Sequence, residues 1–164
     1  MIIIYCHHGH RKRQKEGNSE NDGLTSIGIK DSKLVAKLFC YLDKRYRSGK
    51  KLKAIYSSQL FRCTETTRLI NSKINIPVFY DERLNKFNRK SEKWINFQNR
   101  IKESLFDIVC KHNDNDMAVC VTSGTSIVWF TNLAYKLPPS EKAPYITSPS
   151  CSLVIFELTK DNFV

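Results

Sequence analysis

Three of the chain's four histidines, His7, His8 and His10, fall within four positions, beside Gly9 and just ahead of Arg11-Lys12-Arg13. Neutral imidazole is nucleophilic near pH 7, and nearby cations and backbone N–H groups can hold phosphoryl oxygens. The cluster therefore suits attack on phosphorus. Two other readings stand beside it. A transition-metal site would use the same ring nitrogens, but no carboxylate or thiol lies at a useful spacing, and the cations downstream repel a metal ion. The third reading is a solvated polar loop. A thiolate phosphate loop of the Cys-x5-Arg kind fails, because Lys12 occupies the place where Cys6 would need its arginine. Cys6 reads instead as the last buried residue of a strand.

The elements that must position these residues alternate along the chain. Residues 2–6 (IIIYC) form a continuous apolar strand, followed by a polar loop from His7 to Gly23. A helix opens at Leu24 and reaches about Tyr46, with Leu34, Val35, Leu38, Phe39 and Leu42 as its apolar stripe. Strands are expected at 53–57, 78–80, 117–122 and 152–158, and helices at 59–71, 92–112 and 124–137. On the long helix, Trp94, Phe97, Ile101, Leu105, Ile108 and Val109 share one face. Continuous apolar strands between amphipathic helices predict a three-layer α/β/α sandwich around a mostly parallel sheet, and residues 1–164 read as a single domain. Ligands in such sheets bind beyond the carboxyl ends of the strands. The segments to inspect are therefore His7–His10, Ser57–Arg62, Asp81–Lys86 and Ser123–Ser126.

Composition bounds the function. At 164 residues, 41 % hydrophobic and 26 % charged, with 6 Gly and 5 Pro, the chain is globular rather than low-complexity or collagenous. No apolar run approaches the roughly 20 residues of a membrane span, and Met1–Cys6 lacks the charged start and cleavage site of a secretion signal. The six cysteines show no Cys-x-x-Cys pairing and read as free, mostly buried thiols of a cytoplasmic protein. The formal charge of +11 is uneven: residues 1–56 carry 13 basic and 5 acidic groups, while 116–164 carry 3 and 4. Such a field favours anionic partners. The Lys44–Lys53 cluster raises nucleic acid as one of them, yet no recognition motif accompanies it, so nucleic acid is disfavoured.

In sequence order, the apolar strand running into His7-His8-Gly9, then Leu24-Thr25-Ser26-Ile27-Gly28, then Ser58-Gln59-Leu60-Phe61-Arg62-Cys63-Thr64-Glu65-Thr66 make up an ordered set of blocks. Phe97–Ile101, Val121-Thr122-Ser123-Gly124 and Ser150–Val154 complete it. The chain resembles the histidine phosphatase superfamily, in its phosphoglycerate-mutase-like branch. That resemblance implies that His8 is the nucleophile that becomes phosphohistidine, that Arg62 grips the phosphoryl group with its planar fork, and that His7, Ser123 and Gly124 line the phosphate site. It implies no metal and no cofactor. The partner expected is a phosphorylated small molecule or a phosphoprotein, with no membrane.

The departures from the pattern carry as much weight. The family arginine before the nucleophile is His7, its second phosphate-binding histidine is Ser123, and its Leu-x-Glu carboxylate is Lys86. Losing a positioned acid costs about 10²–10⁴-fold for poor leaving groups, and losing a preorganised donor costs about 10²–10³-fold. The resemblance thus implies a divergent phosphomonoesterase. Its alternative is a catalytically degraded member that binds phosphorylated ligands or a protein partner. Asp81 and Glu82 are the carboxylates nearest the vacant acid position.

Overall fold

The computed structural model describes residues 1–12, 22–45, 49–134 and 148–158. The polar loop at 13–21, positions 46–48 of the basic cluster, and the continuation of the fourth helix to 137 lie outside the described residues. Five strands, β1 (Ile2–His7), β2 (Lys51–Ser57), β3 (Val78–Tyr80), β4 (Asp116–Thr122) and β5 (Leu153–Glu157), form one sheet in the order β3-β2-β4-β1-β5. The first four run parallel, and β5 pairs antiparallel to β1, with Ile2 opposite Glu157. The sheet is therefore mixed but mostly parallel, as the apolar strands predict.

Both faces of the sheet are covered. Along β1, Ile3 and Tyr5 point into one core with Phe97, Ile101 and Leu105 of α3 (Trp94–Lys111) and Ile127 and Phe130 of α4 (Gly124–Ala134). Ile2, Ile4 and Cys6 point into the other, against Val35 and Phe39 of α1 (Ser26–Arg45) and Cys63 and Ile70 of α2 (Phe61–Ile74). The period of two along the strand thus divides its side chains between two helical layers. All six cysteines are free, and Cys6, Cys63 and Cys120 are fully buried. Among the described residues no helix is long and apolar enough to cross a membrane.

One expectation needs correction. Leu34 and Leu38 do not join the apolar stripe of α1 that faces the sheet: they are 52 % and 42 % exposed, whereas Val35 and Phe39 are buried. A helix that lies on a sheet covers only one flank, and residues one position apart are separated by about 100°. Trp94 keeps to the inner face of α3 as expected, packed against Phe97 and edge-on against Phe87 at the rim of the core.

Candidate active site

The site forms where β1, β2 and β4 end. Parallel pairing places His7 beside Thr122, and the chain turns after each strand in the same region: His8 N–H donates to Thr122 O, and Ser58 N–H donates to Val121 O. Arg62 is the second residue of α2 and is 1 % exposed, so its guanidinium points inward. Its Nε donates to His8 Nε2 at 2.9 Å. Because arginine can only donate, Nε2 holds the lone pair, and His8 Nδ1 carries the proton that it gives to Gly9 O at 2.8 Å. Burial, reinforced by His7, Arg62 and Arg11, pushes the His8 pKa down to about 3. The ring is neutral at physiological pH, with its basic nitrogen directed at the arginine.

Thr66 supports this pair from beneath, a residue the Ser-x-Leu-x-Arg-x-x-x-Thr block marks but whose task the sequence does not state. Its Oγ1 accepts the Gly9 N–H at 2.9 Å and donates to Arg62 O at 2.7 Å, joining the turn of the nucleophile to the helix of the arginine. The Leu-Thr-x-x-Gly block acquires a physical reason as well. A Cβ on Gly28 would stand 2.2 Å from His10 O, and one on Gly9 2.7 Å from Gly28 O. The start of α1 lies directly on the His8 turn, where a side chain has no room.

His7 is held differently from the phosphate donor the resemblance implies. Its Nδ1 lies 2.7 Å from Ser148 O and 2.9 Å from Pro149 O, two carbonyls that only accept, so the proton sits there. Burial lowers its pKa, partly opposed by those two carbonyls. In the neutral ring, Nε2 is then a lone pair, and only the imidazolium can donate to a phosphate dianion from that side. The ring rests on the first turn of α4: a Cβ on Gly124 would come within 2.9 Å of His7 Cε1, which explains the glycine. Ser123 is 5 % exposed and follows β4 directly; its hydroxyl meets Ser126 Oγ at 3.3 Å.

The loop after β3 holds the position where the resemblance places an acid. Lys86 lines a cleft of about 930 Å³ with Gln59, Phe61, Glu82 and Asn85, on the flank of the α2 N-terminus. Arg100 clamps this loop by donating to the carbonyls of Arg83, Asn85 and Lys86. Of the two carboxylates that the sequence places nearest, Asp81 is fully engaged. It accepts from Arg83 Nε and Nη2 and from Ser104 Oγ. Burial raises its pKa, but the Arg83 and Ser104 hydrogen bonds more than offset this and hold it below the ordinary carboxylate value. An ionised carboxylate in that role is no proton donor. Glu82 is exposed and faces the cleft. Among the described residues no group of three or more His, Cys, Asp or Glu side chains gathers as a metal site.

A mostly parallel sheet with a histidine and an arginine meeting at its carboxyl edge is the arrangement that the sequence resemblance leads one to expect, and comparison with known proteins assigns the family. Residues 3–90 match the model of the histidine phosphatase superfamily (branch 1), and the chain belongs to that superfamily. Among solved structures, YhfR of Bacillus stearothermophilus superposes with a TM-score of 0.76 at 20 % identity, covering 96 % of this chain and 91 % of that one. The protein histidine phosphatase SixA, solved with tungstate, gives 0.70 at 12 % identity, covering 98 % and 90 %. The mycobacterial glucosyl-3-phosphoglycerate phosphatase Rv2419c, solved with VO3, gives 0.72 at 14 %, covering 94 % and 91 %. At these identities the likeness shows the fold. No curated protein matches the chain by sequence.

Proposed function

We propose that this chain is a phosphomonoesterase that acts through a phosphohistidine at His8. The observation that carries the reading is the contact of Arg62 Nε with a neutral His8 whose Nδ1 proton is fixed on Gly9 O. When a phosphoryl group enters, the Arg62 N–H transfers its hydrogen bond from the ring to a phosphoryl oxygen and uncovers the Nε2 lone pair. Nε2 then attacks phosphorus, the bond from phosphorus to the leaving oxygen breaks, and the leaving group departs with that electron pair. Water attacks the phosphohistidine in a second step, releasing inorganic phosphate and restoring neutral His8. His7, Ser123 and Gly124 border the phosphate at the ends of β1 and β4, with His7 donating only when protonated.

The leaving group must largely manage without acid help, since Lys86 holds the acid position and Asp81 is tied to Arg83. Substrates that leave as stable anions or as weak bases suit such a site: aryl phosphates, and phosphoramidates such as a phosphohistidine side chain, in keeping with the structural likeness to the protein histidine phosphatase SixA. The degraded-binder reading draws on the same departures and is separated by turnover. The deciding experiment measures phosphate release from an aryl phosphate by wild-type protein and His8→Ala, with and without a chelator, alongside detection of acid-labile phosphate on His8. Release that requires His8 and ignores the chelator supports the phosphatase. Anion binding without release supports the binder, and release that persists in His8→Ala removes the phosphohistidine mechanism.

A further inference from the structure

The outer side of α1 carries a second apolar stripe. Ile27, Leu34, Leu38 and Tyr41 are each between 42 % and 60 % exposed, and their spacings of seven, four and three place them on one line along the helix. With Asp31 filling the remaining place, residues 27, 31, 34, 38 and 41 follow the alternating three-four spacing of a coiled-coil seam. In that register Lys30 and Lys37, both exposed, flank the seam at successive g positions. The e positions, Gly28, Val35 and Leu42, turn toward the protein's own core. The seam can therefore receive a helix only from its lysine-bearing side.

Charge selects among occupants. A second copy laid antiparallel would set Lys30 and Lys37 against their own counterparts, and a parallel copy would bury Asp31 against Asp31. An anionic lipid surface would accept the lysines but would press Asp31, in the middle of the stripe, into the acyl boundary. A helix with glutamates along one flank and a cation at one seam position satisfies every group, and the basic excess of residues 1–56 adds long-range attraction. We propose that the outer face of α1 is a docking seam for an acidic amphipathic helix of another protein, with Asp31 setting the register. The proposal is independent of the chemistry at His8.

The probe is a synthetic peptide of about three heptads, with leucine at its seam positions, one lysine placed to meet Asp31, and glutamate at e and g. A partner peptide carries lysine for glutamate at e and g. Binding of fluorescently labelled peptide to the full chain is followed by anisotropy. The glutamate peptide should bind saturably, weaken by at least about tenfold with Leu34→Gln or Leu38→Gln, and lose to the lysine peptide with Lys30→Glu/Lys37→Glu. Because these side chains are exposed, circular dichroism should show the fold unchanged. The proposal is overturned by absence of binding, by equal affinity for both peptides, or by binding that survives the leucine changes. Stripe-dependent self-association, or stripe-dependent adhesion to phosphatidylglycerol vesicles without peptide binding, also overturns it in favour of a second copy or a membrane.

Discussion

Thr66 offers a direct measure of how the nucleophile turn and the arginine helix are joined. Thr66→Val keeps the shape of the side chain and removes only the hydroxyl that accepts Gly9 N–H and donates to Arg62 O. Thr66 is fully buried and Gly9 is buried, so no water replaces the lost acceptor. An unsatisfied buried N–H costs about 1–3 kcal/mol, a sizeable part of the roughly 5–15 kcal/mol that holds a domain together. Thr131→Val is the internal control. Thr131 is also buried, but its hydroxyl donates to Ile127 O within its own helix, and among the described residues no N–H donates to it; its loss should cost less than about 1 kcal/mol. Urea unfolding should therefore place Thr66→Val below Thr131→Val by about 1–2 kcal/mol at equal slope, with Thr66→Ser close to wild type. Gly9 O also fixes His8 Nδ1, so a loosened turn should misorient the ring and lower kcat on an aryl phosphate by about ten- to a hundredfold, more than it changes KM. Equal stability and equal rate in the two valine variants would refute the bridging role.

The remaining predictions concern pH, packing and the leaving group. His8 is neutral in the fold with its pKa near 3, while the unfolded ring takes up a proton near 6.5, so the unfolded state binds more protons between those values. Stability is then fully present above about pH 6.5 and should fall by up to about 1.4 kcal/mol per pH unit as the pH drops below it; His8→Gln should lessen that slope in thermal melts. Gly28→Ala places a Cβ 2.2 Å from His10 O, a backbone atom with little room to move, and should destabilise by about 3 kcal/mol or leave the chain insoluble; a melting point within a degree or two of wild type would contradict the close approach. Aryl phosphates should be hydrolysed at least about 10²-fold faster than alkyl phosphates. Comparable rates on the two classes, falling selectively for the alkyl ester in Glu82→Gln, would make Glu82 a proton donor across the cleft.

Much of this molecule is written in local sequence. The apolar run of Ile2–Cys6 declares a strand buried on both faces, because no polar residue interrupts it for a solvent side. The order of the blocks around His8, Gly28 and Arg62 names the superfamily, since each block meets a local steric or hydrogen-bonding demand: Gly28 has no space for a side chain, and Thr66 must reach two backbones.

Other features depend on segments distant in the chain. Periodicity gathers Leu34, Val35, Leu38, Phe39 and Leu42 into one stripe of α1, and only the packed sheet decides that Val35 and Phe39 are covered while Leu34 and Leu38 are not. His7 reads as a phosphate donor until Ser148 and Pro149, brought alongside by the antiparallel return of β5, take its Nδ1 proton. Asp81 reads as a spare acid until Arg83 and Ser104 of α3 hold it ionised. The contact of Arg62 with His8 spans 54 positions. Local propensity acts over a turn or a pleat, whereas a proton's location and a side chain's burial depend on which remote groups the fold brings within hydrogen-bonding distance. The sequence by itself therefore determined the elements and the chemical types at the site, and the tertiary structure decided which of those groups remain available to react.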